Sequence, residues 1–301
     1  MLVHRLATGL SLAVLVLLVL LIDDQTAPWF PFSFILAAVV LGATSLEVVG
    51  LLKRTSAAPS GNTVFGGVLA LVVANWVPHI VAHLTTDPRA LAPGMMEPVN
   101  ALAWPLCVFT AIVMLTFVSQ SIQFDSSGGA MARISGTVLA VAYVGLLGSF
   151  LIQFRWLPGP HQGFIGLVAT IATIKGADTG AYTLGRIAGR HKLWPRLSPN
   201  KTVEGAVGGL IFAVGFASIA VAIAHYGFRV PTLNVPGTIG FGLVVGAAAQ
   251  LGDLMESMIK RDCAQKDASD ALPGFGGVLD VLDSILFAGP VAYGYWLLFG
   301  P

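Results

Sequence analysis

Between Gln250 and Ser284 the chain gathers seven carboxylates (Asp253, Glu256, Asp262, Asp267, Asp270, Asp280, Asp283) and three cations (Lys260, Arg261, Lys266), almost half of its 15 Asp and Glu in 35 residues. Asp253, Glu256, Ser257, Lys260 and Arg261 recur at i, i+3, i+4, i+7 and i+8, which is one face of a helix whose other face is apolar. Asp280 and Asp283 stand three apart at the start of the last apolar run, after a Pro273-Gly274-Phe275-Gly276-Gly277 break. Carboxylates converging with cations suit a site that holds a divalent metal and a polyphosphate together. Mg²⁺ takes oxygen ligands and keeps waters, so a few Asp side chains and substrate phosphates complete its shell. A merely solvated loop would not phase its charges on a helix or carry carboxylates into an apolar run.

A second cluster begins at Lys175. Lys175, Asp178 and Tyr182 are three and four apart and share a helix face, readable as a structural ion pair or as part of a polar site. Ser198-Pro199-Asn200-Lys201-Thr202 reads as a helix start, with Ser198 as N-cap and Pro199 at the first helical position. Free N–H groups, the positive end of the helix dipole and Lys201 would then form a phosphate site. On spacing alone, an ordinary capped helix beside a basic loop fits equally well.

The elements that position these residues are membrane helices. The chain has 301 residues, 55% of them hydrophobic and 10% charged, with a mean hydropathy of +0.82, too apolar for a water-soluble fold. Apolar runs near the length a bilayer requires lie at about Leu6–Ile22, Phe32–Leu52, Val64–Leu84, Val99–Ile122, Ile134–Phe154, Gly163–Leu184, Val203–Ala224, Ile239–Ile259 and Val278–Phe299. The expected fold is therefore an all-α polytopic membrane protein of about nine transmembrane helices. The first run resembles a signal-peptide core but has no small-residue cleavage site after it, so it is expected to be retained.

Alternating the connections puts twelve Lys and Arg on the N-terminal side, around Arg5, Lys53-Arg54, Arg133, 186–201 and 260–266, against Arg89, Arg155 and Arg229 on the other. That bias predicts a cytoplasmic N-terminus, with both charged clusters at the cytoplasmic face. Residues 1–160 read as scaffold helices and 161–301 as the catalytic region of a single membrane domain. Asp23, Asp24, Asp87 and Glu97 are expected to be solvated in external loops. Glu47, about two turns before Arg54, suits an ion pair or a snorkelling position, or else a polar cavity. His79 and His83, four apart, lack a third ligand and read as polar residues near a helix end. Gly205 and Gly209 form a small-xxx-small pair for close helix packing. Cys107 and Cys263 read as free thiols. No basic tail points to nucleic acid.

The motifs resemble those of the phosphatidate cytidylyltransferase (CDP-diacylglycerol synthase) family. Its signature S-x-x-K-R, four residues, K-D, then P-G-H-G-G, two residues, D-R-x-D-S is matched by Ser257 to Arg261, Lys266-Asp267, Pro273 to Gly277 and Asp280 to Ser284. The QLGD-x-x-ES from Gln250, the D-x-GAY from Asp178 and the SP-x-KT-x-EG from Ser198 to Gly205 also look like the family. The resemblance covers roughly the C-terminal 110 residues. Phe275 stands where the family has His and Val281 where it has Arg, so those two roles do not carry over.

The resemblance implies that CTP and phosphatidate give CDP-diacylglycerol and pyrophosphate at the cytoplasmic surface of a bacterial-type inner membrane. Asp267, Asp280 and Asp283, with Asp253 beside them, would hold Mg²⁺ or another divalent cation, with room for a second metal ion. Lys260 and Arg261 would act in catalysis, and Asp178, Ser198, Lys201, Thr202, Ser257 and Lys266 would bind substrate. The bilayer supplies the lipid, and a homodimer is left open. Alternatives are a CTP-dependent lipid kinase, a cytidylyltransferase acting on another lipid phosphate, a transporter, and an inactive family member. The retained carboxylates and cations favour an active enzyme despite Phe275 and Val281.

Overall fold

The computed structural model describes residues 2–84, 101–124, 128–272, 274 and 276–301. Its long helices are α1 (Leu2–Asp24), α2 (Pro31–Leu52), α3 (Gly61–Leu84), α4 (Ala103–Ile122), α5 (Ala130–Trp156), α6 (Gln162–Ala188), α7 (Val203–Phe228), α8 (Val235–Asp262) and α9 (Leu279–Phe299). Seven of them, α2 to α5 and α7 to α9, are long and apolar enough to cross a membrane. Large apolar side chains such as Val39, Met114, Ile122, Ile211 and Ile223 point outward, while Thr44, Ser45, Asn75, Thr170 and Thr173 are buried. This distribution suits a hydrocarbon solvent, in which backbone groups are satisfied within helices and polar side chains turn inward. The protein is an all-α polytopic membrane protein.

The chain divides into two compact units, residues 1–156 with 262–280, and residues 157–261 with 281–301. In the first unit a polar chain runs between α3 and α5. Asn75 Nδ2 donates to Ser149 Oγ at 2.9 Å and Gln153 Nε2 to Asn75 Oδ1 at 2.9 Å. His79 stacks on Trp156 with ring centres 3.9 Å apart, and His83 meets Trp29 edge-on. The two histidines are therefore packing groups. Asp23 and Asp24 depart from the expectation of solvated charges. Asp23 is fully buried and accepts from Phe32 N (3.1 Å) and Ser33 N (2.7 Å), which satisfies two unpaired N–H groups at the start of α2. Asp24 lies 3.7 Å from buried Arg155. Asp87, Glu97, Pro273 and Phe275 lie outside the described residues.

In the second unit α6 and α7 pack along a glycine seam. A Cβ on Gly176 would meet Phe212 O at 2.9 Å, one on Gly205 would meet Ala181 O at 2.8 Å, and one on Gly209 would meet Ala177 O at 3.0 Å. The Gly205/Gly209 pair thus serves the close approach its spacing suggested.

The connection between α6 and α7 corrects the expected helix start. Ser198–Thr202 is a β-strand (β2), antiparallel to Lys192–Trp194 (β1), with Lys192 opposite Thr202 and Trp194 opposite Ser198. The N-cap is Thr202, in extended conformation, its hydroxyl accepting from Gly205 N at 3.1 Å. Pro199, with its fixed φ, is as compatible with an extended strand as with a first helical turn, and the hairpin partner decides between them. Cys107 and Cys263 are free thiols, and burial holds the Cys263 thiol above its ordinary range.

The seam makes a prediction. Gly180→Leu would place a Cβ 2.6 Å from the Phe212 Cβ, whereas a Cβ at Gly215 on α7 finds nothing within 4 Å. Gly180→Leu should lower the thermal unfolding midpoint by the equivalent of about 1–3 kcal/mol, with Gly215→Leu close to wild type when both are measured in detergent.

Candidate active site

The site grows from the α8 sequence Gln250-Leu251-Gly252-Asp253. Gln250 Nε2 donates to Ala206 O at 3.0 Å and ties α8 to α7. A Cβ on Gly252 would stand 2.9 Å from Asp283 O, so glycine there lets α9 lie directly against α8. That close approach brings Asp253, Glu256 and Asp283 together, with one oxygen of each within 4.8 Å of the others. Glu256 and Asp283 are only 1% and 7% exposed.

Carboxylates this close and this buried repel one another unless cations offset them. Lys201 Nζ lies 2.7 Å from Asp253 Oδ2 and Lys260 Nζ 2.6 Å from Glu256 Oε2. Among the described residues no ion pair reaches Asp283. All the donors of the triad are carboxylate oxygens, a set that suits a hard divalent cation. Glu256 belongs to the phased helical face of the sequence but was not among the expected metal ligands. Its i+3 spacing from Asp253 is the signal that could have found it.

The Ser198 to Gly205 motif divides its labour. Thr202 caps α7 and Gly205 packs against α6. Glu204 accepts from Arg190 N (3.0 Å) and lies 2.6 Å from His191 Nδ1, closing the hairpin onto the helix. Ser198 pairs in the strand, which leaves Lys201 as the residue of this motif whose charge reaches the carboxylates. Lys175 and Asp178 form an ion pair at 3.1 Å on α6, both partly exposed, and Arg186 donates to the Tyr182 hydroxyl at 3.1 Å. Ser257 and Arg261 lie on α8 beyond Glu256, Ser257 half-buried and Arg261 exposed.

Asp267 and Asp280 belong to the other unit, in the loop between α8 and α9 and its junction with α9. Asp280 Oδ2 accepts from Ala268 N (2.9 Å) and Gly277 N (2.7 Å), so one of its oxygens holds the loop's shape. Asp267 and Asp280 both border Gly276, and Lys266 and Asp267 are exposed.

A sequence profile of the cytidylyltransferase family matches residues 3–299. The chain belongs to this family. It is 40% identical over 235 residues to a phosphatidate cytidylyltransferase of Staphylococcus aureus (strain COL), covering 76% of this chain and 86% of that protein. A phosphatidate cytidylyltransferase of Bacillus subtilis (strain 168) is 34% identical over 197 residues, 64% of this chain and 68% of that one. The family match spans both halves of this cytidylyltransferase, including the first, whose hydrophobic helices carry no motif of their own.

If the triad holds a divalent cation, the cation stabilises the fold by mass action. At about one hundred times its dissociation constant the gain is about 2.7 kcal/mol. Mg²⁺ or Mn²⁺ should therefore raise the melting midpoint of the wild-type protein by a few degrees in scanning fluorimetry, and Glu256→Gln should remove most of that rise.

Proposed function

We propose that this cytidylyltransferase converts CTP and phosphatidate to CDP-diacylglycerol and pyrophosphate. The observation that carries the reading is the convergence of Asp253, Glu256 and Asp283 with Lys201 and Lys260 in one buried cluster, in a chain of this family. A phosphatidate phosphate oxygen attacks the α-phosphorus of CTP, the new P–O bond forms in line with the breaking bond, and pyrophosphate leaves. The nucleophile is anionic near neutral pH, so no general base is required. That chemistry tolerates Phe275 where a proton-transferring His would otherwise stand.

The protein's part is to position the two substrates and offset the charge that develops between them. Lys201 and Lys260 bind phosphate oxygens, with Arg261 and Lys266 as further cations toward CTP and lipid. Asp253, Glu256 and Asp283 hold Mg²⁺ or another divalent cation, and Asp267 and Asp280 are candidates for a second ion. Such an ion would neutralise phosphate charge and orient the reacting oxygens. Ser257 and Ser198 offer hydrogen bonds, Asp178 lies on the cytidine side, and Thr202 contributes through the helix cap. The twelve-to-three distribution of Lys and Arg favours a cytoplasmic N-terminus and a site at the cytoplasmic face of the inner membrane.

Purified protein supplied with phosphatidate and CTP labelled at the α-phosphate should transfer the label to lipid and release pyrophosphate only with divalent metal. Release of CDP with a phosphorylated lipid would instead reveal a kinase. Asp283→Asn should cut turnover by about a hundredfold or more, the scale of losing a metal's transition-state contribution. Full activity in that variant would remove Asp283 from the metal site.

A further inference from the structure

Glu47 lies on α2, in the half of the chain that supplies none of the side chains assigned above to the reaction. Its carboxylate nonetheless holds the end of the α8–α9 loop. Oε1 accepts from Ser269 Oγ at 2.7 Å and from Val278 N at 2.9 Å, and Oε2 accepts from Leu279 N at 2.7 Å. Val278 and Leu279 stand at the start of α9, where backbone N–H groups have no partner within the helix. An acceptor carrying negative charge also suits the positive end of the helix dipole. Such caps usually come from the residue next to the helix, whereas this one comes from 231 and 232 residues away.

Gly277 completes the fit. A Cβ there would stand 2.6 Å from Glu47 Oε2 and 2.9 Å from its carboxyl carbon, so the carboxylate fills the space a side chain would take. Asp280 ties the same turn from its other side, through Ala268 N and Gly277 N. The loop end and the first turn of α9 are thus fixed by two carboxylates, one from a distant helix and one from the turn itself.

We infer that Glu47 is a positioning residue for the reaction, fixing the loop end and the first residues of α9 and thereby the placement of Asp280. The inference rests on the reading of Asp280 as a ligand of the second ion. Glutamine at 47 would turn one acceptor into an N–H group facing the backbone donors, and aspartate would be one methylene too short to reach all three of them.

The test compares wild type, Glu47→Gln, Gly277→Ala and the double variant, each as purified full-length protein. Two quantities are read: the Mg²⁺ concentration for half-maximal turnover at saturating CTP, and Mn²⁺ affinity without nucleotide by electron paramagnetic resonance. Misplacing a ligand through its supporting contact weakens metal binding by about tenfold or more. Glu47→Gln should shift both readouts by that factor while the KM for phosphatidate stays put. Gly277→Ala should reproduce the shift by displacing the carboxylate, and the double variant should be no worse than the more affected single one. A merely structural cap would lower the melting midpoint and leave Mn²⁺ affinity at wild type in the folded fraction, and that result, or additive effects of the two substitutions, would overturn the inference. If Glu47→Gln fails to fold, Gly277→Ala decides alone. Wild-type protein that binds Mn²⁺ but does not turn over CTP would refute the proposed reaction and leave the Mn²⁺ comparison to judge Glu47.

Discussion

The structure of the site depends on one electrostatic constraint: three carboxylates, two of them buried, share a volume small enough that each feels the other two. Water screens such repulsion poorly where it has little access, so the cluster needs cations of its own. Lys201 and Lys260 supply two, each within 2.7 Å of its partner, and the all-oxygen donor set suits a divalent ion. In the proposed reaction the same two lysines meet the substrate phosphates, so the residues that stabilise the cluster are also the ones the chemistry would use.

That constraint explains why motif residues around the cluster are small or committed to the backbone. Gly252 allows α9 to approach α8, and the glycines of α6 and α7 allow the hairpin bearing Lys201 to be held by closely packed helices. Thr202 and Glu204 spend their polar groups on closing that hairpin onto α7. Much of what reads in sequence as a substrate-binding motif is therefore the framework for a few charged atoms.

The helices were legible in the sequence because a membrane span is a one-dimensional signal of length and apolarity, and the α8 face was legible because its charges repeat at helical spacing. What could not be read depended on partners outside the local window. Ser198 looked like a helix N-cap because a Ser-Pro pair suits both a first helical turn and an extended strand, and only the pairing with β1 separates them. Asp23 looked solvated because its acceptor role toward Phe32 and Ser33 requires a turn that the sequence does not announce. Glu47 was reduced to an ion pair, a snorkelling group or a cavity residue because its partners Ser269, Val278 and Leu279 lie more than 220 residues along the chain.

In the proposed reaction Asp253, Glu256 and Asp283 together hold the ion on which CTP chemistry depends. Anomalous diffraction from crystals grown with Mn²⁺ and CTP tests it most directly. A peak is expected at about the 2.1 Å typical of a small divalent ion from an oxygen of Asp283 and from one of Asp253 or Glu256, with CTP phosphate oxygens completing the shell. A fully occupied Mn²⁺–CTP complex with no peak at these three carboxylates would contradict it.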